Sequence, residues 1–232
     1  MYRLIVFDLD NTLCPMGEGM TAESVALMRR LEDSGARIAI ASGKPTYYLC
    51  GFARQIGLKA PVFVGENGAV IHMGIELPPA AYHVVPYSAA AKRSLALLRD
   101  GIDRALPDMW YQPNQTGLTP FPRSEEEFDV IERIIGELGA QLQDIIVYRH
   151  ADSFDITPEG ITKKSGVARL GDMMGIAPEE TAAVGDGVND YPMFEYAGLA
   201  LGVRVAEAEK VNRNFDSVES AMRYLLEKQE EK

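Results

Sequence analysis

The fold of this chain is decided by the stretch Arg3-Leu4-Ile5-Val6-Phe7-Asp8-Leu9-Asp10-Asn11-Thr12. Its residues 4–7 are apolar without interruption, which predicts a strand that is buried on both faces, as in a parallel sheet. Asp8 ends that strand. Because side chains two residues apart in an extended chain share a face, Asp8 and Asp10 are expected to point into one cleft. Two carboxylates that close repel each other and favour a bound cation.

Similar strand patterns recur along the chain, and most are followed by a helical pattern. The predicted strands are residues 37–41, 61–64, 154–156, 182–184, 199–203 and 215–218. The predicted helices are residues 22–33, 47–56 and 163–174, one around residue 207 and one from residue 220 onward. Strands that alternate with helices predict an α/β fold with a mostly parallel, doubly wound sheet.

The alternation is interrupted after a predicted hairpin at residues 69–77, where Pro78-Pro79 marks a change of organisation. Beyond it the patterns indicate helices from residue 88 to 105 and from Ser124, with strands near residues 109–112, 117–121 and 145–149. Ser124 and Glu127 have the spacing of a capping box. We therefore expect an α+β unit at residues 79–152, inserted into a core made of residues 1–78 and 153–232.

Composition excludes several classes of partner. The chain has 232 residues, 47% of them apolar, which is enough for a sizeable core. Its 34 acidic and 23 basic residues give a net charge of -11, the wrong sign for binding nucleic acid or an anionic membrane. Two cysteines and the lack of a signal-peptide or membrane-span pattern favour the cytoplasm. The sequence does not indicate an oligomeric state.

Ligands bind beyond the carboxyl ends of the strands in an open parallel sheet, so the polar residues at those ends are candidate site residues. They are Asp8, Asp10, Ser42, Lys163, Asp186 and Asp190. Each is also typical of an ordinary turn or helix start, and Ser-Gly after a strand is a common turn signal. What favours a site is that four such groups follow in order at strand ends of one sheet. Asp186 and Asp190 add hard oxygen ligands of the kind that Mg²⁺ takes.

Together these stretches resemble the four motifs of the haloacid dehalogenase superfamily of phosphohydrolases, over the whole chain. They are Asp8-Leu9-Asp10-Asn11-Thr12, Ile40-Ala41-Ser42-Gly43-Lys44, Gly160-Ile161-Thr162-Lys163 and Gly185-Asp186-Gly187-Val188-Asn189-Asp190. The insert is similar to the α/β cap called C2 type B, as is Gly65-Glu66-Asn67-Gly68-Ala69. Two of the motifs differ from the usual pattern: Asn11 stands where a Gly is frequent, and Ser42-Gly43-Lys44 stands where many relatives have Thr-Gly-Arg. Neither difference removes a catalytic group.

The resemblance implies a Mg²⁺-dependent phosphatase that works through an aspartyl-phosphate. Asp8 is the implied nucleophile, Asp10 the general acid and base, and Ser42 and Lys163 stabilise the transferring phosphoryl group. The implied metal ligands are the carboxylates of Asp8 and Asp186, the backbone carbonyl of Asp10 and, mostly through bound water, Asp190.

A cap that excludes water and contacts the leaving group should set the specificity, so the insert is expected to select the substrate. The candidate substrate-binding residues are Gly43, Glu66, Asn67, Asn114 and Arg123, each of which also suits a turn or loop. By resemblance, the substrate is a small phosphorylated acid such as phosphoglycolate, or a sugar phosphate. A phosphomutase is the nearest alternative, and it would need a second anion site, for which Arg123 and Arg149 are the candidates. A non-catalytic binding protein on the same fold is the other.

Overall fold

The computed structural model describes residues 1–231, which form twelve β-strands and seven α-helices. The strands are β1 (Leu4–Asp8), β2 (Arg37–Ala41), β3 (Val62–Gly65), β4 (Val70–Met73), β5 (Ala81–Val84), β6 (Trp110–Tyr111), β7 (Pro120–Phe121), β8 (Ile145–Arg149), β9 (Phe154–Pro158), β10 (Thr181–Gly185), β11 (Leu199–Val203) and β12 (Arg213–Phe215). The helices are α1 (Ala22–Asp33), α2 (Thr46–Ile56), α3 (Ala89–Ala105), α4 (Glu125–Leu138), α5 (Lys163–Met174), α6 (Tyr191–Tyr196) and α7 (Val218–Glu230). No helix within residues 1–231 has the length and apolar content that crossing a bilayer requires.

Eight strands form the main sheet in the order β12-β11-β10-β1-β2-β3-β4-β5. From β12 to β3 all neighbours are parallel, whereas β4 runs antiparallel to β3. The predicted α/β class with a mostly parallel sheet is confirmed. β1 lies between β10 and β2, so its carboxyl end has a strand end on either side.

Both faces of β1 are covered, as its continuous apolar run predicts. Ile5 and Phe7 pack into one buried cluster with residues of α1, α2 and α7. Leu4 and Val6 pack on the opposite side with residues of α5 and α6. Successive side chains of a strand point to opposite faces, so a strand between two helical layers has to be apolar at every position.

Caps and glycines set several helix boundaries. The side chain of Thr21 accepts a hydrogen bond from Ser24 N and starts α1, and Ser217 starts α7 in the same way through Ser220 N. Gly57 ends α2 with the left-handed backbone that glycine adopts most easily. Because α7 begins at Val218, β12 ends earlier than the predicted strand at residues 215–218, and the predicted helix around residue 207 is a short 3-10 turn at residues 208–210.

The chain divides into two compact units, a core of residues 1–83 and 162–232 and an inserted unit of residues 84–161. Both divisions lie later in the chain than the predicted boundaries at residues 79 and 152. The assignment of residues 154–156 to the core sheet was wrong, because β9 pairs antiparallel with β8. The run Phe154-Asp155-Ile156 alternates apolar and polar residues, which is typical of an antiparallel strand with one face buried.

The inserted unit has its own small sheets and its own apolar core. β6 pairs with β7, β8 pairs with β9, and a bridge between Leu118 and Ile156 joins the two pairs. One face of this assembly is covered by α3 and α4, whose residues pack with Leu118, Phe154 and Ile156. The cluster explains why the α3 and α4 patterns were recognisable as amphipathic helices.

Candidate active site

Asp8, Lys163 and Asp190 form a buried charged group in the core. Asp8 is the last residue of β1, and its Oδ1 accepts a hydrogen bond from Nζ of Lys163 at 2.5 Å. The same Nζ donates to Oδ1 of Asp190 at 2.6 Å. All three side chains are almost fully shielded from solvent. A buried charge is tolerated when it is paired and hydrogen-bonded, and here one ammonium is shared between two carboxylates.

Lys163 is held in place by the first turn of α5. Its predecessor Thr162 caps that helix through Ser165 N. A Cβ added at Gly68 would lie 2.1 Å from the carbonyl oxygen of Thr162, and one at Gly166 would lie 2.5 Å from Cα of Gly68. The start of α5 therefore packs directly on the backbone of the turn at residues 66–68. Any side chain at Gly68 or Gly166 would clash across this contact. This contact fixes how far Lys163 reaches into the core.

Asp186 and Asp190 follow β10 and are linked through their backbone. Oδ2 of Asp190 accepts hydrogen bonds from Asp186 N at 3.0 Å and Gly187 N at 3.2 Å. The side chain of Asp190 folds back so closely that a Cβ at Gly185 would lie 2.5 Å from its Cγ. Thr12 donates from Oγ1 to Oδ1 of Asp186 at 3.1 Å, which connects this loop to the loop after β1.

Carboxylate oxygens of Asp8, Asp186 and Asp190 lie within 4.8 Å of one another. Burial raises the pKa of Asp8 to about 7, although Lys163 opposes that shift. Burial and the charge of Asp190 also raise the pKa of Asp186. For Lys163, burial favours a lower pKa, but the carboxylates of Asp190 and Asp8 raise it above its usual value.

Three carboxylates facing one ammonium leave an excess of negative charge when all are ionised. A set of hard oxygen donors with excess negative charge fits a divalent cation such as Mg²⁺. The side chain of Asp10 lies outside this set, and its Oδ2 is 3.6 Å from Nζ of Lys44. Its predicted bond to the metal runs through the backbone carbonyl, and that bond stays a prediction.

Hydrogen bonds to the backbone N, the backbone carbonyl and the side chain of Asn11 hold the loop after Asp10 in place. Asn11 has a positive φ of 63°, which explains why a glycine is frequent here and why asparagine is an acceptable replacement. Asn11 N donates to Cys14 O at 2.7 Å, and Met16 N donates to Oδ1 of Asn11 at 3.3 Å. Nη2 of Arg204 donates to the carbonyl of Asn11 at 2.9 Å. Sequence reasoning missed Arg204, Thr12 and Lys44 as supporting residues; the position of Arg204 just after β11 was the available signal.

The remaining core candidates gather around Ser42. Ser42 N donates to Val64 O at 3.0 Å, and Asn67 N donates to Ser42 O at 3.1 Å. Glu66 N donates to Lys44 O at 3.1 Å, so the segment that contains Gly43 lies directly beside residues 66 and 67. Glu66 and Asn67 both have positive φ, 52° and 56°. Such backbone strain in non-glycine residues is concentrated at functional sites.

The two candidate substrate-binding residues in the inserted unit, Asn114 and Arg123, make hydrogen bonds to different neighbours. Nδ2 of Asn114 donates to Oγ1 of Thr119 at 2.9 Å. Arg123 is exposed, and its Nη2 donates to the carbonyl of Asp108 at 3.2 Å. Their roles in substrate binding stay predictions.

The chain matches the family model of haloacid dehalogenase-like hydrolases over residues 5–78 and 117–214. It is 25% identical to a phosphoglycolate phosphatase of Methanoculleus marisnigri over 211 residues, which cover 89% of this chain and 86% of the relative. Its fold is similar to that of a haloacid dehalogenase-like hydrolase from Bacteroides thetaiotaomicron, with a TM-score of 0.82 at 20% identity, covering 97% of this chain and 100% of the other. A subclass IIB sugar phosphatase of the superfamily has a TM-score of 0.71 at 17% identity, covering 96% of this chain and 98% of the other.

The family match includes residues 5–78, which contain Asp8, and residues 117–214, which contain Lys163, Asp186 and Asp190. It spans well over half of the chain, and it agrees with the sheet order and with the cluster at the strand ends. The resemblance found in the motifs is thereby confirmed, as is the expectation of an enzyme. The chain belongs to the family of haloacid dehalogenase-like hydrolases.

Proposed function

We propose that this hydrolase is a Mg²⁺-dependent phosphatase of a small phosphorylated metabolite, in the phosphoglycolate or sugar phosphate class, and that it works through an aspartyl-phosphate on Asp8. The observation that carries the proposal is the buried group at the end of β1, in which Asp8 meets Lys163 and the carboxylates of Asp186 and Asp190. The phosphatases among the similar proteins support the same chemistry.

In the first step, the ionised carboxylate of Asp8 attacks phosphorus, and the bond from phosphorus to the alcohol oxygen breaks. Asp10 donates its proton to the departing alkoxide. Asp10 suits this work because its side chain is partly exposed and can exchange a proton with water, whereas Asp8 is buried. Nζ of Lys44 lies 3.6 Å from Oδ2 of Asp10.

In the second step, Asp10 removes a proton from water, and the resulting hydroxide attacks the phosphorus of the aspartyl-phosphate. The bond to Asp8 breaks, phosphate leaves, and Asp10 is protonated again, so one ester and one water become one alcohol and one phosphate. Splitting the hydrolysis into two displacements avoids one difficult direct attack.

Charge neutralisation and positioning do most of the work in such transfers. Mg²⁺ would be held by the carboxylates of Asp8 and Asp186 and the Asp10 carbonyl, with Asp190 acting mostly through bound water, and it would neutralise charge on the phosphoryl oxygens. Lys163 keeps Asp8 and Asp190 close despite their mutual repulsion. The Ser42 hydroxyl, with Gly43 beside it, is assigned to the phosphoryl oxygens.

Glu66 and Asn67 are assigned to the substrate because their strained turn is hydrogen-bonded to the Ser42 segment. The contacts of the candidate arginines argue against the phosphomutase alternative. It needs free cations for a second anion site, but Arg149 makes ion pairs with Glu125 and Glu132, at 2.9 and 2.8 Å. The intact set of motif carboxylates argues against a non-catalytic protein.

The test is phosphate release from a panel of small phosphoesters, with Mg²⁺ and with a chelator. We expect hydrolysis of at least one sugar phosphate or phosphorylated acid that stops when the metal is chelated. Hydrolysis that is indifferent to chelator, or no hydrolysis of any ester in the panel, would contradict the proposal. Conversion of one sugar phosphate isomer into another without phosphate release would establish the mutase instead.

A further inference from the structure

Arg204 directly follows β11 and has an unusual backbone conformation. Its φ is 57°, in the left-handed region that residues other than glycine rarely occupy. Arg204 N donates to Phe215 O at 2.8 Å, which holds this turn against β12. Strained residues of this kind persist where surrounding contacts fix them, and they are concentrated at functional sites. A strained turn at the carboxyl end of a parallel strand marks Arg204 as a candidate functional residue.

The guanidinium of Arg204 joins two loops that belong to different strands. Nη2 donates to the carbonyl of Asn11 at 2.9 Å, and Nη1 donates to the carbonyl of Asp216 at 3.1 Å. Asn11 lies in the loop after β1, and β10 separates β1 from β11 in the sheet. The side chain therefore reaches across the end of β10. A planar guanidinium can donate in two directions at once, which a lysine ammonium on a flexible stem does not reproduce.

The peptide group that Arg204 contacts lies between two residues of the proposed mechanism. Asp10, the general acid and base, precedes Asn11. Thr12 follows it, and its Oγ1 donates to Oδ1 of Asp186 at 3.1 Å. Asn11 itself has a positive φ of 63°, and within residues 1–231 no backbone N–H donates to its carbonyl. The hydrogen bond from Arg204 is therefore well placed to hold this strained loop in one conformation.

A direct contact with the substrate is the alternative role for Arg204, because its side chain is exposed and positively charged. The two carbonyl contacts on opposite sides of the guanidinium favour the positioning role. The two roles also differ in their kinetics. Loss of a charge that attracts the anionic ester raises KM for every ester alike, whereas a misplaced general acid slows the esters that depend on proton donation.

We propose that Arg204 is a positioning residue, which holds the peptide after Asp10 so that the Asp10 carboxyl reaches the leaving oxygen. This inference rests on the proposed function, in which Asp10 protonates the departing alkoxide. General acid catalysis contributes about 10²- to 10⁴-fold to a rate, and a displacement of about 1 Å can cost about a hundredfold. Loss of the contact with Asn11 should therefore be most costly for esters with poor leaving groups.

The experiment compares kcat/KM for two esters, p-nitrophenyl phosphate and the alkyl phosphate that the wild-type protein hydrolyses fastest. An alkoxide needs a proton in order to leave, whereas p-nitrophenolate is stable without one. We expect Arg204→Met to lower kcat/KM about thirtyfold for the alkyl phosphate and less than about threefold for p-nitrophenyl phosphate. Equal losses on the two esters, a change in KM alone, or no loss on either would overturn the inference.

Two further variants test whether geometry or charge is responsible. Arg37→Met is the matched control, because Arg37 is also exposed and its Nη1 donates to the carbonyl of Ala60 at 3.1 Å, but at the amino end of β2. It should change neither kcat/KM value. Arg204→Lys retains the charge and loses the two-sided contact, so it should keep most of the loss on the alkyl phosphate. Full activity of Arg204→Lys would assign the effect to charge and overturn the positioning role.

Amide hydrogen exchange separates this inference from the proposed function. Arg204→Met should speed exchange in the loop of residues 11–16 about tenfold, because a hydrogen bond from a charged donor is lost, and Arg37→Met should not. Wild-type hydrolysis with unchanged exchange of this loop in Arg204→Met would refute the positioning role alone. A wild-type protein that hydrolyses no ester would refute the proposed function, and the inference would fall with it.

Discussion

The core and the inserted unit both bring carboxylates to a sheet, but they do so in different ways. In the core, Asp8 is the last residue of β1, and Asp186 and Asp190 lie just beyond the end of the neighbouring strand β10. In the inserted unit, Asp155 lies within a strand, on the face of an antiparallel pair that points away from α3 and α4. The first arrangement concentrates negative charge on one point, and the second spreads polar groups over a surface.

This difference teaches what each region is suited to bind. Three carboxylates that share one ammonium leave an excess of buried negative charge, which is unfavourable unless a metal ion neutralises it. The core therefore suits a metal ion and a phosphoryl group. The single carboxylate of Asp155, which accepts a hydrogen bond from Thr119 and lies against His150, brings no such excess of negative charge to one point. The following predictions break or sharpen that comparison.

Asp8→Asn should have the largest effect, a loss of phosphatase kcat of at least about a thousandfold, because removing a catalytic nucleophile costs that much or more. Its fold should persist, since the amide is isosteric and Lys163 retains Asp190. Steady-state phosphate release and circular dichroism measure the two properties. Asp172→Asn, an exposed position on α5, serves as the control and should keep full activity. A fully active Asp8→Asn protein would remove Asp8 from the mechanism.

Lys163→Met should lower the free energy of unfolding by about 3–5 kcal/mol, because it leaves two carboxylates buried without their partner. Urea denaturation followed by fluorescence measures the change. Adding Asp8→Asn to Lys163→Met should restore part of the loss, since one of the stranded charges is then gone.

The neighbouring lysine provides the control for that experiment. Lys164 pairs at 3.1 Å with Glu195 on the surface, where both side chains are well exposed. Lys164→Met should therefore change the free energy of unfolding by less than about 1 kcal/mol. Equal effects at the two positions would show that the buried group contributes no more than a surface ion pair.

The two regions also differ in how far their sequence predicted them. The strand-end site was predictable because a continuous apolar run marks a buried strand. The polar residue that stops such a run then lies at the carboxyl end of the strand, where ligands bind in a parallel sheet. Contacts such as that of Arg204 with the Asn11 carbonyl were not, because they join residues far apart in sequence through backbone atoms. Phe154-Asp155-Ile156 was misassigned since three residues cannot reveal which strand they pair with, and the hairpin partner decides.

Mg²⁺ should stabilise the protein through the core carboxylates and not through Asp155 of the inserted unit. At a concentration one hundred times the dissociation constant, a ligand of the folded state adds about 2.7 kcal/mol to the free energy of unfolding. Thermal denaturation with and without Mg²⁺ measures this gain. Asp186→Asn should lose most of it, whereas Asp155→Asn should keep it. A Mg²⁺-dependent stabilisation that disappears in Asp155→Asn would place the metal in the inserted unit and contradict the prediction.

The smallest effects concern two helical glycines that should respond in opposite directions to alanine. A Cβ at Gly166 in α5 would lie 2.5 Å from Cα of Gly68 and from Val64, so Gly166→Ala should destabilise the core by about 1–3 kcal/mol through overpacking. A Cβ at Gly136 in α4 meets no atom within 4 Å, so Gly136→Ala should stabilise the inserted unit by about 0.5–1 kcal/mol through helix propensity. Urea denaturation measures both values. A stabilising effect of Gly166→Ala would contradict the close contact between α5 and the turn at residues 66–68. Some other contact would then have to set the position of Lys163 in the core site.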